Sequence, residues 1–216
     1  KAIEHRIETA GTRLIVTNSE QRTKLNEIEN TEILTIHAQG KVSKDADFWT
    51  EIAKYSSHFS AEMLSFEDDF LMMFTSGTTG LAKSVPVPLK AVLAFKEYMR
   101  HAVDLREEDS FWNLADPGWA YGLYYGIAGP LALGHSIIMD ERAFSVDNAV
   151  QVIKKYKVSN LTGSPTAFRM FFGFKEQFDQ AIQSHLRVVS SAGEPLTPEV
   201  IHWFKHDLEV NIYDQY

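Results

Sequence analysis

Short apolar runs alternate with amphipathic stretches along most of the chain. The segments "RLIVTN" (13–18) and "EILTIH" (32–37) have the branched, alternating character of strands, with a polar stretch between them. "DDFLMMFTS" (68–76) predicts a buried strand that runs into a loop rich in glycine and hydroxyl residues. Residues 90–105 have helical spacing, "SFWNLAD" (110–116) predicts a strand, and the apolar stretch 122–133 predicts a helix despite Pro130. "HSIIMDE" (135–141) predicts a further strand. Ser145 then stands where a helix N-cap belongs, ahead of an apolar face made by Val146, Ala149, Val150 and Ile153. "VSNLTGSP" (158–165) predicts a strand and a turn, with Ser164 and Pro165 as N-cap and first helical residue. "LRVVSSAGE" (186–194) is strand-like, Thr197-Pro198 opens another helix by the same device, and "VNIYDQY" (210–216) is a last strand.

Strand–helix alternation of this kind predicts an α/β fold, with layered sheets, mixed or mostly parallel, flanked by helices. In such sheets ligands bind beyond the C-terminal ends of the strands. The loop after "DDFLMMF", "ADPGW", "GSP", "SAGEP" and "DQY" all fall at such ends and are expected to converge on one crevice.

Composition narrows the classes. With 216 residues, 44% hydrophobic and 23% charged, the chain can bury a substantial core. A net charge of −8 argues against a general nucleic-acid binder, while leaving room for a local anion site. The absence of cysteine excludes disulfides and thiolate metal sites. No run of about 18 apolar residues is present to span a membrane. The first residues lack the apolar core of a signal peptide, and both ends fall within patterned sequence, so the chain reads as a piece of a longer protein.

"TSGTTGLAKS" (75–84) carries the sharpest chemical signal. A P-loop needs Gly-x-x-x-x-Gly-Lys-Ser/Thr, but Ala82 stands in place of the second glycine, where the backbone must wrap tightly around the anion. A pattern of Ser/Thr-Ser/Gly-Gly-Thr-Thr/Ser-Gly-x-x-Lys fits Thr75, Ser76, Gly77, Thr78, Thr79, Gly80 and Lys83. Hydroxyls and backbone amides there can hold phosphate oxygens, and the lysine can neutralise them. The plainer alternative is an ordinary loop between strands.

On these residues the chain resembles the adenylate-forming enzymes, which include acyl-CoA synthetases, luciferases and peptide-synthetase adenylation domains. The loop is similar to that family's phosphate-binding motif, with alanine at position 82 where the family usually has proline. "ADPGWAYGLYYGIAGPLALG" (115–134) resembles the Gly-Trp and Gly-Pro-Leu segment of acetyl-CoA and medium-chain acyl-CoA synthetases. That likeness implies that Trp119 and Ala192 border an acyl pocket, whereas taken alone Trp119 reads rather as a core tryptophan packing helix on sheet. "SSAGEPLTPEV" (190–200) resembles the adenine loop, with Gly193, Glu194 and Pro195 forming the slot. A strand, a turn and a capped helix would explain the same residues. "YDQY" (213–216) resembles the start of the Tyr-Gly-x-Thr-Glu motif, with Tyr216 stacking on adenine and Asp214 and Gln215 on the purine side.

The resemblance implies the middle of the large N-terminal domain of an acyl-CoA synthetase. Residues 1–66 would close a first subdomain, and 67–216 would form the ATP- and acyl-binding part. It implies a carboxylic acid, short- to medium-chain or aryl, with ATP and CoA as substrates and Mg2+ as the metal. Lys83 would neutralise phosphate, the principal catalytic lysine would lie outside this chain, and no metal ligand would lie within it. A cytoplasmic location, or the mitochondrial matrix in a eukaryote, goes with that reading, and neither nucleic acid nor a membrane span does. Enzymes adenylating an aryl or amino acid, or a nucleotide-binding piece without chemistry of its own, remain as alternatives.

Two further patterns have plain explanations. His202 and His206 have a zinc-ligand spacing, but Trp203 stands where a zincin helix needs glutamate, so a solvated or packed helix face is expected. "KEYMRH" (96–101) is basic and aromatic, but short enough to be a solvated helix face.

Overall fold

The computed structural model describes residues 2–29, 31–36, 45–75, 81–182 and 185–215. The chain forms two compact units, Lys1–Leu89 and Lys90–Tyr216.

The first unit opens with helix α1 (Ala2–Ala10), followed by β1 (Leu14–Asn18) and β2 (Glu32–Ile36), which pair in parallel. A two-residue strand, β3 (Ala46–Asp47), extends this sheet on the far side of β2 and leads into the short helix α2 (Phe48–Ile52). Asp47 caps α2, its carboxylate accepting the amide of Thr50 at 2.8 Å. Asp45 is held by the Arg22 guanidinium and by the Thr35 hydroxyl. β4 (Asp69–Thr75) and β5 (Lys83–Pro88) form a separate antiparallel ladder. β4 was expected to be buried, yet none of its residues is, because its apolar side chains lie in a sheet of only two strands. β5 is a strand despite Pro86 and Pro88, which a ribbon with free edges accommodates.

The second unit is the α/β part that the alternation predicts. β6 (Phe111–Asn113), β7 (Asn160–Gly163), β8 (Val188–Ser191) and β9 (Asn211–Asp214) form one all-parallel sheet in the order β6-β7-β8-β9. Helices cover both faces. Trp112, Leu161 and Val189 share one row of the ladder. They pack into a cluster with α6 (Val146–Tyr156), α7 (Pro165–Phe172), α8 (Lys175–Ile182), α9 (Pro198–His202) and the wide π-turn Trp203–Asp207 that continues α9. Side chains alternate across a strand, so the neighbouring Phe111 points to the other face. There it meets Met99 of α3 (Ala91–His101), Val103 and Leu105, with Tyr125 and Leu133 packed alongside.

Local signals account for most of these elements. Ser145 and Ser164 accept the amides of Asn148 and Ala167, capping α6 and α7 as their spacing predicts. Thr197 sits at the N-cap of α9 with extended geometry but makes no side-chain cap bond. The expected helix over 122–133 is present in three pieces: α4 (Ala120–Leu123), a π-turn (Tyr124–Ala128) and α5 (Gly129–Ala132). Pro130 has no amide to continue the ladder, and the wide turn takes up the mismatch ahead of it. "HSIIMDE" is not a strand: the segment has no ladder partner among the described residues, and Ile138 is held by packing against the main cluster instead. The "KEYMRH" stretch is solvated only in part. Glu97 pairs with Arg100 and His101 on the outside, while Met99 is fully buried and Tyr98 turns inward.

The N-terminal ends of the parallel strands are tied by charge. Arg187, just before β8, donates to Asp109 at 2.6 Å and to Asp104 at 2.5 Å, and Asp109 also accepts from the Ser159 hydroxyl at 2.7 Å. The Asp109 side chain is 0% exposed. Burial opposes its ionisation, but the bonds from Arg187, the Arg106 amide and Ser159 outweigh that cost and hold its carboxyl below the usual range.

Candidate functional site

In the first unit, the last residue of β4 and the first of β5 are direct ladder partners, Thr75 opposite Lys83. Both are exposed. Lys83 therefore stands on a strand, beside the residue that opens the phosphate motif. Ser76, Gly77, Thr78, Thr79 and Gly80 lie outside the described residues. Ala82, the residue that departs from the family's proline, has its carbonyl 3.0 Å from the His5 ring of α1. A contact from a separate helix thus holds the chain one residue before the lysine.

In the second unit, four loops leave the C-terminal ends of neighbouring parallel strands, so they share one edge of the sheet by construction. The loop after β6 is built by its own side chains. Asn113 accepts the amide of Ala115 at 2.8 Å, and Asp116 accepts that of Gly118 at 2.6 Å. This commits the Asp116 carboxylate to its own turn. Trp119 follows, 75% exposed at the N-cap of α4, so its indole is not part of the core.

Gly122 is the reason that α4 can lie against this loop. A Cβ there would come within 2.3 Å of the Asp116 carbonyl oxygen and 2.6 Å of that of Ala115. Backbone cannot yield as a flexible side chain can. Gly122→Ala is therefore expected to cost about 1–3 kcal/mol through overpacking, measured as a lower urea midpoint of the purified protein at unchanged m-value.

After β7, Gly163 leads into the Ser164 cap and Pro165. The loop after β8 lies beside it: the Ala192 amide reaches the Gly163 carbonyl at 3.3 Å. Gly193 has φ +99°, a conformation open to glycine and strained for other residues. Glu194 is not free to swing, because Arg169 of α7 donates to its carboxylate at 2.8 Å and the Thr166 hydroxyl lies 3.1 Å from it. Those bonds, with Arg169 foremost, hold the Glu194 carboxyl below its usual range. Asp214, at the end of β9, accepts the amide of Leu196 at 3.1 Å and so closes the turn that contains Pro195.

Gln215 follows. Its amide bonds the Ser191 carbonyl at 2.7 Å, and its side chain turns inward to α3 and α4. Tyr216, next in sequence, lies outside the described residues.

The parallel edge thus gathers Trp119, Ala192, Gly193, Glu194, Pro195, Asp214 and Gln215 in one unit, while Thr75 and Lys83 belong to the other. Three partners carried no local signal in the sequence: His5 at Ala82, and Arg169 and Thr166 at Glu194. Tyr98 at Gln215 had a trace, since it lies three residues after Phe95 on the inward side of α3. His202 and His206 have ring centroids 4.5 Å apart on an exposed face. Among the described residues no group of three or more His, Asp or Glu is placed to hold a metal ion. No helix among them is long and apolar enough to cross a membrane.

Comparison with known proteins bears on the family and the fold. The family described as "AMP-binding enzyme" matches residues 1–216. The acetyl-coenzyme A synthetase of Bacillus subtilis (strain 168) is 30% identical over 218 residues, covering 99% of this chain and 38% of the relative. The crystal structure of a Brucella canis acyl-CoA synthetase superposes with a TM-score of 0.92 at 48% identity, covering 99% of this chain and 40% of that one. An anthranilate CoA ligase in complex with anthranoyl-AMP has a TM-score of 0.88 at 23% identity, covering 98% and 42%, and shows the shared fold. The chain spans about two-fifths of the length of each of these proteins.

Proposed function

Because this chain belongs to the AMP-binding enzyme family, we propose that the protein carrying it is an AMP-forming acyl-CoA synthetase. In this reading a carboxylate attacks the α-phosphate of ATP, pyrophosphate leaves, and the acyl-adenylate passes its acyl group to the thiol of CoA with release of AMP. The observation that carries the proposal is the family match over all 216 residues, together with the ordered strand-end loops that bear its motifs.

On this proposal, Thr75 to Gly80 and Lys83 bind the triphosphate. Lys83 supplies positive charge where negative charge gathers on the leaving pyrophosphate. Gly193, Glu194 and Pro195 shape the adenine slot. The strain-free positive φ at Gly193 supports close backbone approach to a flat base, and the Arg169–Glu194 pair supports a fixed slot wall. Asp214, Gln215 and Tyr216 complete the purine side, Gln215 through its place in the chain because its amide group is engaged elsewhere. Trp119 and Ala192 border the acyl group. The family implies magnesium, but the described residues offer no cluster fit to hold it. A cytoplasmic setting belongs to the same proposal.

The acid is proposed to be a simple carboxylic acid of short or medium length. An amino acid would need an acidic partner for its ammonium group, and Asp116 is spent on its own loop. Tyr121, Tyr124 and Tyr125, which follow Trp119, pack on one another as an aromatic group and supply no acidic partner. The test is pyrophosphate release by the full-length protein with straight-chain acids, benzoate and amino acids. Preference for a straight-chain acid is expected, rising about fourfold per fitted methylene, which is ~0.8 kcal/mol, until the wall is met. Trp119→Gly is expected to shift the optimum to a longer acid. Preference for an amino acid, or an unchanged chain-length profile in the variant, would refute the assignment.

A further inference from the structure

The side-chain amide of Gln215 is surrounded by partners from outside its own strand. Its Oε1 accepts from the Tyr98 hydroxyl at 2.6 Å and the Tyr121 hydroxyl at 3.0 Å, and its Nε2 donates to the Ala102 carbonyl at 2.6 Å. Both acceptor positions of the oxygen are therefore filled. Its own backbone amide bonds Ser191 at the end of β8. One residue thus joins four pieces of the second unit: the C-terminal end of α3, helix α4, the end of β8 and the end of β9.

The tyrosines at this junction form a packed group. Tyr98 and Tyr125 stack at 3.9 Å, and Tyr121 meets Tyr125 edge-on at 5.5 Å. Burial pushes the hydroxyl of Tyr121 far above the usual phenol range and that of Tyr98 upward, so both stay protonated and act as donors at any working pH. A neutral donor pair facing a neutral amide is a rigid arrangement, insensitive to pH and screened little by salt. Loss of the amide would leave two phenols and a carbonyl without these bonds in a half-buried site, and that is costlier than never having built them.

Tyr121 is two residues after Trp119, on the helix that Trp119 opens, and Gln215 is one residue after Asp214, whose carboxylate closes the loop containing Pro195. We infer that Gln215 is a positioning residue that couples the acyl-side helix to the nucleotide-side loop, so that the placement of one sets the placement of the other. This rests on the proposed function for the identity of the two ligands, but the junction itself is a matter of bonds within one unit.

The test uses the full-length protein and three variants: Gln215→Leu, which keeps the side chain's bulk, Tyr121→Phe, which keeps the ring, and the double variant. Pyrophosphate release is measured while acid and ATP are varied in turn, with rates referred to the titrated concentration of active sites. Gln215→Leu is expected to raise the KM for the acid and for ATP together, each by about tenfold, the effect of one or two lost hydrogen bonds. Tyr121→Phe is expected to move both in the same direction by less, and the double variant is expected to be no worse than Gln215→Leu alone. A purely structural role would lower the melting temperature and the active fraction but leave both KM values of the active molecules unchanged. That result, or a double variant equal to the product of the singles, would overturn the inference. If Gln215→Leu does not fold, Tyr98→Phe with Tyr121→Phe removes the same two donors and is judged by the same criteria. If the wild type releases pyrophosphate with no acid, the functional reading fails. Calorimetric titration with ATP then decides the coupling, with weaker binding by Gln215→Leu supporting it and equal or absent binding by both proteins overturning it.

Discussion

Replacing Lys83 by alanine in the full-length protein is expected to cut kcat/KM for ATP by roughly 30- to 150-fold, the equivalent of ~2–3 kcal/mol for a charge-assisted phosphate contact. The binding of the acid alone should hardly change. The reason lies in the ladder: Lys83 is the ladder partner of Thr75, so its backbone is fixed beside the residue that opens the phosphate motif. A side chain anchored on a strand delivers its charge from a fixed backbone position. Lys83→Arg would keep the charge but change its shape from a compact ammonium to a planar fork, and is expected to recover only part of the loss. Steady-state kinetics with ATP and the acid varied separately provide the check. Unchanged KM and turnover for ATP in Lys83→Ala would remove the residue from the phosphate site.

The largest effect on stability is expected at the opposite edge of the parallel sheet. Arg187→Met would leave the Asp109 carboxylate, 0% exposed, without its guanidinium partner. Breaking a buried pair from one side costs about 3–5 kcal/mol, and urea denaturation near neutral pH would show it. The pH dependence distinguishes this from simple loss of packing. In the wild type the carboxyl of Asp109 titrates lower in the folded than in the unfolded chain. Its contribution is therefore complete above the unfolded value of about 3.9 and disappears as pH falls through the lower folded value. In the variant the hydrogen bond and charge of Arg187 are lost while burial remains, so the folded value is expected to rise above that of the wild type. The variant should therefore lose stability, relative to the wild type, as pH rises through the range in which Asp109 ionises. A constant difference between the two proteins from pH 3 to 7 would argue that only packing was lost.

Much of the α/β part was legible because its signals are local. Ser145 and Ser164 act as caps through an amide three residues away, and the short strand β7 is set between the two helices that they cap. The strand ends, and so the edge on which site residues gather, followed from that pattern. Where local signals mislead, a neighbour decides. "HSIIMDE" has the composition of a strand but no ladder partner among the described residues, and β5 has prolines that argue against a strand yet pairs with β4. The site's supports were hidden for a related reason. Tyr98 and Gln215 are separated by 117 positions, and Arg169 and Glu194 by 25, so nothing in the spacing of either pair announces the contact. Side-chain partnership across a fold depends on three-dimensional register, which periodicity does not encode. Trp119 illustrates the division: its position after a strand was readable, whereas its exposure, which separates a wall from a core residue, was not.

The order β6-β7-β8-β9 bears on how this unit is made. Each strand lies beside the one that precedes it in the chain, and the stretch between paired strands shortens at every step, from Phe111 and Asn160 to Asn160 and Val188, then Val188 and Asn211. Parallel sheets pay for their long crossovers in loop-closure entropy and so tend to assemble slowly. Here the most expensive closure comes first and each later one is cheaper, and among these four strands each can pair with one already made. A chain leaving the ribosome can lay down these four strands in the direction of synthesis, with β9, which ends at Asp214, docking onto a β8 already in place. Of these four strands, the one that leads into Gln215 is thus fixed after the other three, so the junction at Gln215 forms on packing that they have already made.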